Sequence, residues 1–373
     1  MVIKMNHTTI RYYILRGKIS ILVLFLILST FIAFIPFTNA SHVLKSEWTN
    51  GWEVQNSSTM KILRGVSFAD HNTGIAVGGD YWEGVIVRTT DGGQTWGPTS
   101  RSIPEDPDPP LRGLWDVSLF DSNIGTAVGY DGIIAYTTDC FTTREIVQPI
   151  GSICTYYGIQ SLSPDFECAV GTSSLWKALA VLTHDRWKTY QSYSFWLMHP
   201  NEPWGFDANL HDVCFVNSNV GFAVSGVCYG QGAVVRSVNG GVDWTTVFWD
   251  DYRSLIGVDF PSENVGYAVG ENGIIIKTAD GGDNWQYLTS GVGVRLWDVS
   301  FTSEKVGTVV GENGVILRTR DGGENWHLQY TGIHTNLYAV DFIDSLNGWI
   351  AGDGGLILHT NTGGYTLSVS LRP

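Results

Sequence analysis

A segment of about 40 residues recurs along this chain, and no other feature restricts its possible folds as strongly. One clear copy, LWDVSFTSEKVGTVVGENGVILRTRDGGENW, starts at Leu296. The other copies, two clear and four weaker, begin at or near Leu255, Leu337, Leu63, Leu114, Tyr156 and Leu210. Seven units are marked by the equivalent positions Gly74, Gly125, Glu167, Gly221, Gly266, Gly307 and Gly348.

Each unit contains four short segments in which apolar and polar residues alternate, separated by Gly or Asn-Gly. In the sixth unit they are Trp297–Phe301, Val306–Val310, Val315–Thr319 and Asn325–Gln329. The 44 Gly residues and the low charged content of 16% also suit tight turns between strands. We therefore predict an all-β fold, a seven-bladed β-propeller of four-stranded antiparallel blades.

The closure of the ring has two possible strands. Trp52-Glu53-Val54-Gln55 resembles the fourth-strand sequence Trp326-His327-Leu328-Gln329, whereas the seventh unit lacks the Trp. We expect the N-terminal segment, residues 48–56, to complete the last blade. The alternative is that Tyr365–Leu371 supplies this strand.

The first 40 residues predict export. Lys4, Arg11, Arg16 and Lys18 precede the apolar run Ile19–Phe37, which ends near the small residue Ala40. This order is typical of a secretory signal peptide. The run is long, so an uncleaved membrane anchor at residues 19–37 is the alternative. Residues 41–373 then form one extracytoplasmic propeller that is secreted, periplasmic or lumenal.

The net charge of the chain limits the classes of partner that it can bind. Residues 41–373 carry 18 basic and 36 acidic side chains, a formal charge of −18. Nucleic acid and anionic membrane surfaces are disfavoured, so a membrane is contacted only through the N-terminal segment. The five cysteines could form one or two disulfides or be buried small apolar residues: Cys140, Cys154, Cys168, Cys214 and Cys228. Their spacing predicts no metal site, and no motif calls for a cofactor.

The turn between the third and fourth segments has its own motif, Thr-x-Asp-x-Gly-x-x-Trp, called an Asp box. Its acid or amide and its Trp are found at Asp91, Trp96, Asp139, Asp185, Asn239, Trp244, Asp280, Trp285, Asp321 and Trp326. A short carboxylate can accept backbone N–H bonds within its own loop, and Gly can take positive φ angles. We interpret these residues as structural.

The G-E-N-G-x-I-x-R-T-x-D-G-G-x-x-W pattern resembles the BNR-type repeat of the photosystem II assembly and stability factor family. The resemblance covers roughly residues 48–364. It implies a lumenal or periplasmic seven-bladed propeller that assists assembly of photosystem II. That family is described as carrying an arginine-rich patch. The repeat's basic position is filled here by Arg88, Arg236, Lys277 and Arg318, and elsewhere by Tyr136, Leu182 and His359.

The two faces of the ring are predicted to differ. Insertions fall only between second and third strands and between blades, and both loop types open opposite the Asp boxes. The longest are Gly97–Gly113 and Phe195–Asn209, the second of which carries Trp204; Tyr81 and Trp82 lie in a shorter one. Aromatic residues on this face could stack on sugars or capture a peptide, or could fold down over the blades.

A second constellation lies where the first strands enter the central channel. Its equivalent positions are Arg64, Trp115, Tyr157, His211, Ile256, Trp297 and Tyr338, and the next positions include Asp116, Asp212 and Asp298. Three carboxylates on alternate blades could bind a cation or a ligand. Alternatively, each could be bonded to a neighbouring backbone amide.

Two functions follow from these residues. The first is a monomeric, non-catalytic binding or assembly propeller whose loop-rich face takes a protein complex or a glycan. The second is a secreted Asp-box glycoside hydrolase, sialidase-like or xyloglucanase-like, with a carboxylate pair such as Asp116 and Asp298. The absence of any catalytic motif favours the first.

Overall fold

Among the described residues, seven four-stranded antiparallel sheets form between Glu53 and Thr360, as the sequence predicts. The computed structural model describes residues 4–5, 8–9, 51–99, 111–151, 154–202, 205–227 and 230–365. The first three blades consist of Leu63–Phe68, Gly74–Gly79, Gly84–Thr89 and Gly97–Pro98; of Leu114–Leu119, Gly125–Gly129, Ile134–Thr137 and Glu145–Val147; and of Thr155–Ser163, Phe166–Thr172, Ala178–Thr183 and Gln191–Phe195.

The remaining blades follow the same order. They consist of Ala208–Phe215, Gly221–Val227, Gln231–Ser237 and Thr245–Asp250; of Leu255–Asp259, Gly266–Gly270, Ile275–Thr278 and Gln286–Leu288; of Leu296–Phe301, Gly307–Gly311, Ile316–Thr319 and His327–Leu328; and of Leu337–Phe342, Gly348–Gly352, Leu356–Thr360 and Glu53–Asn56. Helix in the described residues is limited to 3₁₀ turns, among them Tyr130–Gly132, Glu271–Gly273, Glu312–Gly314 and Asp353–Gly355. A small ribbon, Leu197–Met198 with Gly205–Phe206, extends the insertion before blade 4.

The N-terminal strand Glu53–Asn56 pairs antiparallel with Leu356–Thr360 and completes blade 7. Trp52, just before it, is fully buried and packs edge-on against Phe342 at 5.9 Å. The two ends of the propeller are thus joined by a sheet, which removes one pair of exposed strand edges.

The Asp-box turns are built from internal hydrogen bonds. In blade 6, Thr319 Oγ1 donates to Asp321 at 2.8 Å and accepts the amide of Gly323 at 2.9 Å. Asp321 in turn accepts the amide of Asn325 at 3.0 Å. Blades 2 and 3, which lack the Gly, put Phe141 and Trp187 at positive φ instead, and both rings are buried. The Asp-box side chains thus form hydrogen bonds within their own turns.

Neighbouring blades are joined by stacked aromatic residues and by a belt of hydrogen bonds. Phe68 of blade 1 stacks on Trp349 of blade 7 at 3.6 Å, and its other side meets the Asp-box Trp96 edge-on. Around the channel, one side chain of the first strand accepts a backbone amide of the next blade in six of the seven blades. These acceptors are Ser67, Ser118, Gln160, Asp259, Ser300 and Asp341.

Two further predictions concern the cysteines and the N-terminus. Cys140, Cys154, Cys168 and Cys214 are free and buried, which fits their interpretation as small apolar residues, while Cys228 lies outside the described residues. The signal or anchor segment, residues 19–37, also lies outside them. In the described part of the first 47 residues, Lys4–Met5 pairs with Thr8–Thr9. No helix among the described residues is long and apolar enough to span a membrane.

Candidate functional site

A cavity of about 700 Å³ opens at the loop-rich end of the central channel. Its wall contains all seven positions that the sequence assigned to this mouth: Arg64, Trp115, Tyr157, His211, Ile256, Trp297 and Tyr338. We call these seven residues the mouth ring. Asp116, Asp212 and Asp298 line the same cavity.

A β-bulge sets the direction of every mouth-ring residue. In each blade the pairing of the first and second strands skips one residue, and the skipped residue is the mouth-ring residue: for example, Trp115 lies between the paired Leu114 and Asp116. The same shift occurs in the other six blades. A bulged residue is released from the sheet alternation and can be aimed elsewhere. The mouth ring therefore results from a β-bulge that every repeat contains.

The three carboxylates brace the blades. Asp116 accepts the amide of Val117 at 2.7 Å and that of Ile159, in the next blade, at 2.9 Å. Asp212 binds Val213 and Val258 in the same way, and Asp298 binds Val299 and Val340. Each carboxylate thus has both oxygens bonded to backbone amides, the structural alternative that the sequence left open. Among the described residues, no cluster of three or more His, Cys, Asp or Glu could hold a metal ion.

The small residues that alternate with these acids are required by close packing. A Cβ on Gly158 would lie 2.8 Å from the Cα of Asp212 and 2.9 Å from the carbonyl oxygen of His211. Gly65 and Gly257 face Asp116 and Asp298 just as closely. These glycines therefore let each Asp-bearing strand lie close to the first strand of the preceding blade.

Burial perturbs the charges at the mouth. It raises the pKa of Asp116 to about 8, with a further contribution from the charge of Asp212, and it raises the pKa of Asp212 to about 6. Burial also holds the pKa of Asp298 well above its usual range. Burial and then the nearby Arg295 lower the pKa of His211 to about 4. The mouth is therefore less charged near neutral pH than its composition suggests.

Aromatic rings form a continuous row from a loop into the cavity. Successive ring centroids are 4.9 Å apart for Trp82–Tyr81, 5.3 Å for Tyr81–Tyr130, 5.5 Å for Tyr130–Trp115, 5.2 Å for Trp115–Tyr157 and 5.7 Å for Tyr157–His211. We call these six residues the aromatic row. Its outer end is open, because 71% of the Trp82 surface is exposed. Tyr81 and Trp82, predicted from the insertion, are thereby connected to the mouth ring.

Arginine side chains pack against the aromatic rings at and beside the mouth. The Arg64 guanidinium lies 4.7 Å from the Trp115 centroid, and that of Arg295 lies 4.9 Å from the Trp297 centroid. Arg112 covers both Tyr81 and Trp82 and pairs with Asp131 at 3.1 Å. Such contacts hold aromatic side chains in fixed orientations.

The sequence missed some residues of this site. The sequence did not single out Tyr130, which belongs to the aromatic row, or Arg112, which packs against it. Trp176 also lines the cavity, with 63% of its surface exposed and a positive φ of 57°. A positive φ is rare for a bulky residue and can mark a functional position. This signal can be read only from the structure. Trp204, predicted for this face, lies outside the described residues.

The basic position of the repeat lies on the other face and joins blades. Arg236 donates to the carbonyl of Gly281 in the next Asp box at 2.9 Å, and Lys277 donates to that of Gly322 at 2.8 Å. Arg318, almost fully buried, reaches Ser345 of blade 7 at 2.6 Å. These cations are already engaged in contacts between blades.

Comparison with known proteins gives one family and several similar structures. Residues 289–372 match the family described as photosynthesis system II assembly factor YCF48. No curated protein matches the chain. The solved structure of YCF48 bound to D1 peptide shares 21% identity at a TM-score of 0.65, covering 84% of this chain and 97% of that one.

Two further structures are similar. YCF48 from Cyanidioschyzon merolae shares 17% identity at a TM-score of 0.64, covering 83% and 98% of the two chains. The WD40 β-propeller domain of Doa1 shares 12% identity at a TM-score of 0.62, covering 85% and 99%. These likenesses show the fold. With the family match they confirm the predicted resemblance: the chain is a BNR-repeat propeller similar to photosystem II assembly factors.

Proposed function

We propose that this protein is an extracytoplasmic, non-catalytic assembly-factor propeller that binds a segment of a partner protein at the mouth ring. The single observation that carries the proposal is the aromatic row, which runs from the exposed Trp82 to His211 inside the cavity. A row of rings on a rigid scaffold offers apolar area along one direction, as an extended chain requires.

The similar structure of YCF48 bound to D1 peptide supports this proposal, because that propeller is described with a peptide ligand. The resemblance in the repeats supports a role in assembly of a membrane complex. Export is supported by the basic and apolar order of the first 40 residues.

The geometry gives the glycosidase little support. General acid and nucleophile chemistry needs carboxylate oxygens that reach the substrate. At the mouth, both oxygens of Asp116 and of Asp298 accept backbone amides. A binding function does not need free carboxylate oxygens, so it is compatible with these hydrogen bonds.

Affinity capture from the native extracytoplasmic fraction tests the proposal. We expect the wild-type protein to enrich one membrane protein complex and Tyr157→Ala to lose it. Phe120→Ala is the matched control, since it removes an exposed ring on the Asp-box face, and should capture normally. Retention by polysaccharide, or capture that is equal for both variants, would overturn the proposal.

A further inference from the structure

A buried carboxyl group lies at the junction of blades 2 and 3, at a position where the other six blades have glycine. Glu167 is fully buried. Its equivalents are Gly74, Gly125, Gly221, Gly266, Gly307 and Gly348. In those blades an apolar side chain of the first strand covers the glycine: a Cβ on Gly307, for example, would lie 2.4 Å from the ring of Phe301. Blade 3 has Ser161 at the position of that ring, paired in register with Glu167. Both members of the apolar contact are therefore polar at this one junction.

The carboxyl group of Glu167 contacts blade 2 through neutral donors. Its Oε2 accepts the hydroxyl of Thr126 in blade 2 and, at 2.9 Å, the indole N–H of Trp187 in the Asp-box turn of blade 3. Its Oε1 is buried and has no hydrogen-bond partner. Ser161 is close enough to act on the pKa of the carboxyl group, but its hydroxyl also lacks a partner of proper geometry. One oxygen of Glu167 is thus bonded and the other is not.

Among the described residues, no cation forms a hydrogen bond with Glu167. Burial raises the pKa of Glu167 above its ordinary value of 4.5, although the neighbouring donors and the charge of Arg186 act in the opposite direction. Tyr136 of blade 2 is also near, since the charge of Glu167 acts on its pKa, which is raised mainly by burial. A buried carboxylate that is not paired with a cation destabilises the contact in which it lies.

We propose that the junction of blades 2 and 3 is a pH-sensitive joint of the ring, which is closed while Glu167 is protonated and loosens when Glu167 ionises. Because the folded pKa lies above the unfolded one, the stabilisation is fully present below pH 4.5 and is lost as pH rises through the raised folded pKa. The same two blades carry Trp115 and Tyr157, whose ring centroids are 5.2 Å apart, so the joint divides the aromatic row.

Amide hydrogen exchange of the full chain tests the joint, because equivalent amides report on different junctions. The Ser161 amide donates to Ser118 Oγ of blade 2 at 3.0 Å, directly across the joint. Two equivalent bonds cross junctions that have no such Glu: Leu119 to Ser67 at 3.0 Å, and Phe342 to Ser300 at 3.2 Å. Between pH 5 and pH 9, we expect the protection of the Ser161 amide to fall at least about threefold relative to the other two amides.

Glu167→Gln keeps the shape of the side chain and cannot ionise, so in this variant the relative protection should stay constant with pH. Glu145→Gln makes the same change at an exposed position of blade 2 and should behave like wild type. Asp116 also titrates at this junction. A fall that persists in Glu167→Gln would therefore overturn the inference, as would constant relative protection in the wild type.

If melting curves show that Glu167→Gln does not fold, Thr126→Val takes its place. Loss of the Thr126 hydroxyl removes a bond that favours the ionised carboxylate, so the fall in protection should move to higher pH. A fall that stays at the same pH or moves lower would overturn the inference. The exchange measurements involve no partner protein, so their outcome is independent of the function proposed above.

Discussion

The indole nitrogen of Trp52 donates to the side-chain oxygen of Gln329 at 2.9 Å, although 277 residues separate them. Gln329 then donates to the carbonyl of Gly363, also at 2.9 Å. Three distant parts of the chain meet at this point, where blade 6 adjoins the composite blade 7. The closure of the ring therefore depends on a residue that precedes the first repeat.

Trp52→Ala should destabilise the propeller by about 3–5 kcal/mol, because it removes a fully buried ring and leaves Gln329 without its donor. Urea unfolding measures the loss. Val54→Ala is the control on the same strand; its side chain is 52% exposed, and the change should stay within about 0.5 kcal/mol. A Trp52→Ala protein as stable as the control would contradict closure by this strand.

The mouth carboxyl groups predict the pH dependence of stability. The folded pKa of Asp116 is about 8 and that of Asp212 about 6, both above the ordinary value of 3.8. At these two groups the folded state binds more protons than the unfolded state between pH 4 and pH 8, so their contribution makes the free energy of unfolding fall as pH rises through this window. His211, whose pKa is lowered from 6.5 to about 4, acts in the opposite direction between those two values. Asp321 and Asp344, whose pKa values are lowered to about 2, act in the opposite direction below pH 4.

Urea midpoints at several pH values test this. We expect the protein to be most stable near pH 5 and to lose stability steadily towards pH 8.5. Asp116→Asn, which cannot ionise, should flatten that slope. A stability that rises between pH 5 and pH 8.5 would show that the mouth carboxyl groups are not held in their neutral form.

Gly158→Ala should cost about 1–3 kcal/mol, because its Cβ would press on the backbone of His211 and Asp212 in the next blade. Gly97→Ala provides the comparison, since a Cβ there would meet nothing within 4 Å. Thermal melting of the two variants should separate them clearly. Equal melting temperatures would mean that the blades can part without loss.

Thr319→Val tests the structural role of the Asp box. The buried hydroxyl of Thr319 accepts the amides of Gly323 and Asp321, so its removal should cost about 1–3 kcal/mol. Thr302→Val removes a buried hydroxyl that has no partner and should cost nothing measurable. Chemical unfolding of both variants gives the difference.

The repeat pattern predicted the fold and the membership of the mouth ring because both are periodic. Trp115 and Trp297 could be aligned by counting from one unit to the next. Contacts between groups on different blades could not be predicted from the repeat, because they depend on how neighbouring sheets are placed. From the sequence, the carboxylate of Asp116 could have faced either a ligand or a backbone amide. In the structure it accepts the amide of Ile159, which lies 43 residues later in the chain.

The aromatic row could not be predicted from the sequence, for a different reason. Tyr130 begins a 3₁₀ turn whose first residue is Glu or Asp in blades 5, 6 and 7, and Tyr81 lies in an inserted loop, so neither aromatic residue is part of the repeat pattern. Their contact follows from loop conformations that no period describes. The unpartnered state of the Trp115 indole likewise appears only when every neighbouring acceptor is located.

Site-specific photocrosslinking tests the central claim, binding of a partner protein at the mouth ring, most directly. A photoreactive phenylalanine analogue would replace Tyr157 in the cavity and, in a separate protein, Phe120 on the Asp-box face. In the native extracytoplasmic fraction, the probe at position 157 should yield an adduct with one partner protein, which mass spectrometry should identify. Adducts formed only at position 120, or none at position 157 in a folded protein, would contradict the account.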